Sequence, residues 1–128
     1  MIVGIGVDAI DIPRVERLLG RFPARAAAKL FTAREADYAR ARATPARHFA
    51  VRLAAKEAAF KALAGNALAR GIAWREIEVV PGNDGQPTLV LHGKAAQRAA
   101  QIGATRWWVS MTHADHSAVA VVILEAGS

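Results

Sequence analysis

Arg52, Lys56, Glu57 and Lys61 fall within a single stretch, FAVRLAAKEAAFKAL. If it is helical, Arg52 and Lys56 share a face, as do Glu57 and Lys61, because side chains four apart overlie one another. A carboxylate for a divalent cation, flanked by cations for phosphate oxygens, makes a platform for phosphoryl transfer. The same spacing also suits a surface Glu–Lys pair worth roughly 0.2–0.5 kcal/mol. Asp8 closes the apolar run IVGIGV, and a carboxylate at a strand mouth suits a hard cation. An aspartate in that place more often opens a turn. Mg²⁺ takes one or two protein carboxylates with water and substrate phosphates, so Asp8 with Glu57 would suffice. A third group is Ser110-Met111-Thr112-His113, with Asp115 and His116 after it. Histidine at a strand end beside a carboxylate serves as a base or a phosphate donor, or sits in a solvated turn. With no cysteine, thiolate metal sites, thiol nucleophiles and disulfides are excluded. The close histidines lack partners for tetrahedral zinc.

The elements that must position these residues can be read in order. Residues 2–7 form a continuous apolar run, which predicts a strand buried on both faces and ending at Asp8. Gly4 and Gly6 permit close backbone approach there. The GIG they form lacks the rest of a dinucleotide fingerprint. Asp11 suits an N-cap and Pro13 the first turn of a helix carrying Val15, Leu18 and Leu19, stopped at Gly20. A second helical piece spans residues 24–30. Thr32 with Glu35 reads as a capping box opening a helix that holds Asp37 and Tyr38. Thr44-Pro45 opens the next, and residues 47–64 contain no glycine or proline, which predicts the longest helix. A loop or short irregular turn from Gly65 to Gly71 leads to strands at 77–80 and 88–91 around Pro81-Gly82-Asn83-Asp84-Gly85, a hairpin signal. A helix at 94–102 stops at Gly103, and strands at 107–111 and 119–124 close the chain. This order predicts an α+β fold, a mostly antiparallel sheet packed against a long helix and shorter helices.

Length and composition set the remaining bounds. The 128 residues suit one domain spanning 1–128, and 53% apolar content is too high for disorder. Alanine dominates and aromatics are few, so the core relies on small residues, a thin arrangement that points toward oligomerisation. No apolar stretch approaches a membrane span and no basic leader precedes the first strand, which predicts a soluble cytoplasmic protein without a membrane role. The net charge of +6 favours an acidic partner: nucleic acid, a phosphorylated small molecule or an acidic protein. Arg14, Arg17 and Arg21 recur at spacings of three and four and predict one basic helical stripe.

Four segments in order resemble the holo-(acyl carrier protein) synthase family of small 4′-phosphopantetheinyl transferases: GIGVDAIDIPRV, FTAREADYA, FAVRLAAKEAAFKAL and VSMTHADHSAVAVVILE. The family often has Gly-Thr-Gly after its long helix, where this chain has Ala64-Gly65-Asn66-Ala67, and tyrosine where it has Ser117. The resemblance implies Mg²⁺-dependent transfer of 4′-phosphopantetheine from coenzyme A to a serine of an acidic apo-acyl carrier protein, in support of fatty-acid biosynthesis. Adenosine 3′,5′-bisphosphate is the other product. It implies Asp8 and Glu57 as the Mg²⁺ ligands and Lys61 as a phosphate neutraliser. Arg47, Arg52 and His113 become candidates for the nucleotide phosphates. The serine's proton goes to Glu57 directly or to a water held by Asp37. It further implies a homotrimer with sites between subunits, and docking of the acidic carrier on the Arg14–Arg21 stripe. A competing reading, a non-enzymatic basic module binding nucleic acid, needs exposed stacking aromatics, and only Trp107 and Trp108 could serve.

Overall fold

A long alanine-rich helix, α4 (Pro45–Leu63), is the axis of the computed structural model, which describes residues 1–21 and 23–127. Pro45 sits at its start, where the missing N–H costs nothing. Thr44 precedes it but makes no side-chain cap. The helix is buried almost all round, with Ala50, Ala54, Ala55 and Ala58 wholly inaccessible. Small side chains let other elements approach it from several sides, so it carries no narrow apolar stripe.

One side of α4 packs against a three-stranded antiparallel sheet ordered β1 (Ile2–Asp11), β5 (Ser117–Glu125), β4 (Arg106–His113). Asp8 pairs with Ala120, Val7 with Val121, and Val121 with Ser110. Ala118, Ala120, Val122 and Leu124 turn inward and are buried. On the outer face Ile5 is 63% and Val7 55% exposed, and Trp108 joins them. This corrects two sequence expectations: β1 runs on to Asp11, and only one of its faces is covered. An apolar run cannot show whether its second face has a partner, and here Gly4 and Gly6 are what meet the α4 backbone.

The helices β1 leads into follow the expected signals. Asp11 Oδ2 accepts the Arg14 N–H at 3.1 Å and caps α1 (Ile12–Arg21). This helix continues one residue past Gly20; α2 (Pro23–Leu30) follows. Thr32 and Glu35 form the reciprocal capping box of α3 (Ala33–Arg40). Where a loop or short irregular turn was expected, Asn66 caps the short α5 (Ala67–Arg70). A 3₁₀ turn, Trp74–Glu76, enters the hairpin of β2 (Ile77–Pro81) and β3 (Pro87–Leu91), a separate two-stranded sheet. Helix α6 (Gly93–Gln101) ends before Gly103, whose φ of 77° suits glycine. The fold is α+β with antiparallel sheets, as predicted.

A buried polar network ties α3, α4 and β2. Lys56, wholly buried, pairs with Glu35 at 2.8 Å. Glu35 Oε2 accepts the Val79 N–H at 2.9 Å. Glu78 accepts from Thr32 Oγ1 at 2.7 Å and from Arg34 at 3.0 Å. No helix among the described residues is long and apolar enough to cross a membrane.

Candidate active site

Two glycines bring the candidate ligands together. An added Cβ at Gly6 would overlap the Ala58 carbonyl oxygen and lie 2.9 Å from its carbon, and one at Gly4 would overlap the Ala62 oxygen. The α4 backbone therefore rests directly on β1, which sets Glu57 and Lys61 beside Asp8. Lys61 Nζ donates to Asp8 Oδ1 and to the Val7 carbonyl, both at 3.0 Å. Asp8 Oδ2 is buried with no hydrogen-bond partner.

The electrostatics of this pair are those of a shared site. Burial pushes the Glu57 carboxyl up to about 7, helped by its contact with the Asp8 carboxylate and opposed by Lys61 and Arg14. Burial also acts to raise Asp8, but hydrogen bonds with Glu57 and Lys61 outweigh it and hold Asp8 below its ordinary value. Two carboxylates in contact cannot both stay ionised without a proton or a cation between them. An orphaned oxygen on one and a displaced affinity on the other fit a hard divalent cation completed by water or phosphate oxygens. Among the described residues no group of three or more His, Cys, Asp or Glu gathers to form an all-protein cage. A cation here would be held by this pair, with an open side toward substrate.

Glu57 opens on a cleft of about 490 Å³ between β1, α1, α2 and α4, walled by Arg14, Val15, Leu18, Leu53 and Trp74. The Trp74 ring meets Phe60 of α4 edge-on, at 4.9 Å and 88°.

The expected cationic platform divides. Only Lys61 shares the face of Glu57, whereas Arg52 lies roughly 140° around the helix. Lys56 is spent inside the core, its ammonium donating to Glu35 and to the carbonyls of Trp74 and Ile77. Spacing of four identifies a shared face but not whether that face meets solvent, which is why Lys56 reads as a phosphate ligand in the sequence. Arg52 is 4% exposed and lines a second pocket of about 210 Å³ with His113, Tyr38 and His48. Its guanidinium lies 4.3 Å from the Tyr38 ring centre, its Nη1 donates to the His48 carbonyl at 3.2 Å, and its Nε has no partner. A hydrogen bond from Arg42, outweighing burial, lowers the Tyr38 hydroxyl, and burial followed by the Arg52 charge lowers His48. The pocket is electropositive and suits an anion.

Asp8, Glu57 and Lys61 thus form one cluster, and Arg52 with His113 line another. Asp37 is exposed on α3 and Arg47 half-buried in the first turn of α4, and neither lines either pocket. Sequence reasoning missed Tyr38, His48 and Trp74 as wall residues. Tyr38 stands inside a quoted motif, but aromatic rings carry no spacing rule that marks a pocket wall.

The family model of the 4′-phosphopantetheinyl transferase superfamily matches residues 4–122. A holo-[acyl-carrier-protein] synthase of Nitratidesulfovibrio vulgaris (strain DP4) is 48% identical over 126 residues, 98% of this chain and 100% of the relative. That of Koribacter versatilis is 42% identical over 125 residues, 98% and 99% of the two chains. Among solved structures, the holo-[acyl-carrier-protein] synthase from Neisseria meningitidis superposes with a TM-score of 0.85 at 27% identity, covering 98% of this chain and 99% of that one. One from Bacillus anthracis, in complex with CoA (3′,5′-ADP), gives a TM-score of 0.78 at 30% identity over 99% of both chains.

Proposed function

The chain belongs to the holo-(acyl carrier protein) synthase family of the 4′-phosphopantetheinyl transferase superfamily, and on that premise we propose that it moves 4′-phosphopantetheine from coenzyme A to a serine of an apo-acyl carrier protein. The observation that carries this reading is the Asp8–Glu57 pair, with its orphaned oxygen beside Lys61 at the edge of a cleft. The serine oxygen forms a bond to the β-phosphorus of coenzyme A as the bond to the bridging oxygen breaks, releasing adenosine 3′,5′-bisphosphate. Mg²⁺ held by Asp8 and Glu57 would supply charge neutralisation at the pyrophosphate. Lys61, fixed by Asp8 and the Val7 carbonyl, is oriented to offset charge on a phosphate oxygen. Glu57 takes the serine proton in the simplest scheme. Asp37 lies outside this cleft on its own chain, so the scheme in which it holds a water needs a neighbouring copy.

Arg52, with Arg47 and His113 near it, is the candidate set for the nucleotide phosphates. Arg52 and His113 line one pocket and Glu57 of the metal pair lines the other, on a single chain. The exposed apolar row of Ile5, Val7 and Trp108 supports a homotrimer, in which one subunit's metal pair would face another's phosphate pocket. Arg14, Arg17 and Arg21 on α1 would dock the acidic carrier protein beside Glu57. Fatty-acid synthesis and the cytoplasm are the setting this activity fits. The nucleic-acid reading loses one of its two stacking rings, because Trp107 turns inward and donates its indole N–H to the Leu89 carbonyl at 2.8 Å.

The test is incubation with coenzyme A, Mg²⁺ and apo-carrier protein, followed by mass spectrometry. A phosphopantetheine mass gain on one serine, lost with a chelator and lost in Asp8→Ala and Glu57→Ala, is expected. No gain on any of several acidic carriers would overturn the proposal.

A further inference from the structure

The strongest unexplained feature is Lys56, a fully buried cation next in sequence to Glu57 that touches neither pocket. Its ammonium has three protons and three acceptors: Glu35 Oε1 at 2.8 Å, the Trp74 carbonyl at 3.0 Å and the Ile77 carbonyl. The two carbonyls are the ends of the 3₁₀ turn, which the Ile77 N–H also closes onto Trp74. Glu35 is held in turn by α3, whose cap it completes, and by the Val79 N–H of β2. The hairpin side of this turn is held by the Ile77–Leu91 pairing and by the His92 N–H on the Glu76 carbonyl; Lys56 is the side chain of α4 that ties its Trp74 end to the helix. The ring of the residue so clamped, Trp74, packs edge-on against Phe60 and forms the cleft wall facing Glu57. Leu53, Glu57 and Phe60 follow one another at four and three residues along α4, so the indole lies over the helix face that presents the carboxylate. A buried ion pair adds little net stability over an apolar pair of similar volume. What Lys56 supplies that an apolar residue cannot is two directed bonds to the Trp74 turn.

We infer that Lys56 is a positioning residue: it pins the Trp74 turn against α4 so that the indole walls the cleft beside Glu57 and orients the group that reacts there. This rests on reading the Glu57 cleft as the site of transfer.

The test compares wild type with Glu35→Gln/Lys56→Met, which removes both buried charges together, with Trp74→Leu, and with the combined variant. Protein labelled with 5-fluorotryptophan gives ¹⁹F resonances for Trp74, Trp107 and Trp108, and loss of one signal in Trp74→Leu assigns it. Calorimetry with coenzyme A and Mg²⁺ counts binding sites, so turnover is expressed per bound coenzyme A and unfolded protein does not enter. The pair variant is expected to shift or broaden the Trp74 resonance while sparing the other two. Turnover per site should fall about tenfold or more in it and in Trp74→Leu, as loss of orientation allows. The combined variant should fall less than about twofold further, because residues acting through one another are not additive. An unmoved Trp74 resonance, full turnover in Trp74→Leu, or losses that multiply in the combined variant would each overturn the inference. If the pair variant does not fold, Trp74→Leu, which keeps every bond of Lys56, still decides through its turnover. Wild type that transfers nothing would refute the proposed function instead, and the ¹⁹F comparison separates that failure from this one.

Discussion

Replacing Gly6 with alanine would place a methyl group inside the backbone of α4. The new carbon overlaps the Ala58 oxygen and lies 2.9 Å from the Ala58 carbon and 3.0 Å from the Ala62 nitrogen. Carbon contacts are favourable only at about 3.5–4.0 Å. Strand and helix must therefore part by close to ~1 Å, and none of the obstructing atoms belongs to a side chain that could swing aside. Overpacking of this kind costs about 1–3 kcal/mol, which lowers the melting temperature by roughly 4–11 °C in a domain of this size. The larger effect falls on chemistry. Asp8 rides on β1 and Glu57 and Lys61 on α4, so the separation opens the carboxylate pair and the 3.0 Å Lys61–Asp8 bond together. A misplacement of ~1 Å can cost about 10²-fold in turnover. Gly20→Ala is the control: nothing lies within 4 Å of a Cβ there, and alanine within a helix stabilises by roughly 0.5–1 kcal/mol. The assay is calorimetric melting with carrier-modification rates for both variants. Wild-type stability and turnover in Gly6→Ala would refute the claim that close approach of β1 and α4 builds the site.

Other consequences can be checked separately. In chelator, the folded protein holds the Glu57 proton up to about 7 while the unfolded carboxyl releases it near 4.5, so wild-type stability should fall as pH rises between those values. Glu57→Gln should flatten that slope in urea melts; the depressed Asp8 acts below its ordinary 3.8, outside this window. Arg14→Glu with Arg21→Glu should raise KM for the carrier protein about tenfold or more while leaving coenzyme A affinity unchanged by calorimetry; equal loss of both would count against the docking stripe. Ile5→Asp, at a position 63% exposed, should cost the single chain little yet dissociate the proposed trimer in light scattering, and an unchanged mass would argue against that face as the interface.

The order of the strands and longer helices was legible in the sequence, because caps, breakers and periodicity act over a few residues. Thr32 with Glu35, Pro45 at the start of the long helix and the Gly85 turn all function where their local chemistry places them. It also marked Asp8, Glu57 and Lys61, though only as an ordered set of motifs; taken singly, each fitted a turn or a surface pair better. Tertiary structure decided what each charge meets. Lys56 and Arg52 carry the same local signal as Lys61, yet one is spent on Glu35 and a turn, and the other lies against Tyr38. Burial depends on which elements crowd each side of α4, and helical spacing holds no record of them. The same reason separates the two faces of β1. Its apolar run was legible, but only the sheet register and the glycine contacts assign one face to α4 and leave the other bare. The Asp8–Glu57 pair is thus written in residue types and brought together by two glycines that let backbones 52 and 58 residues apart touch.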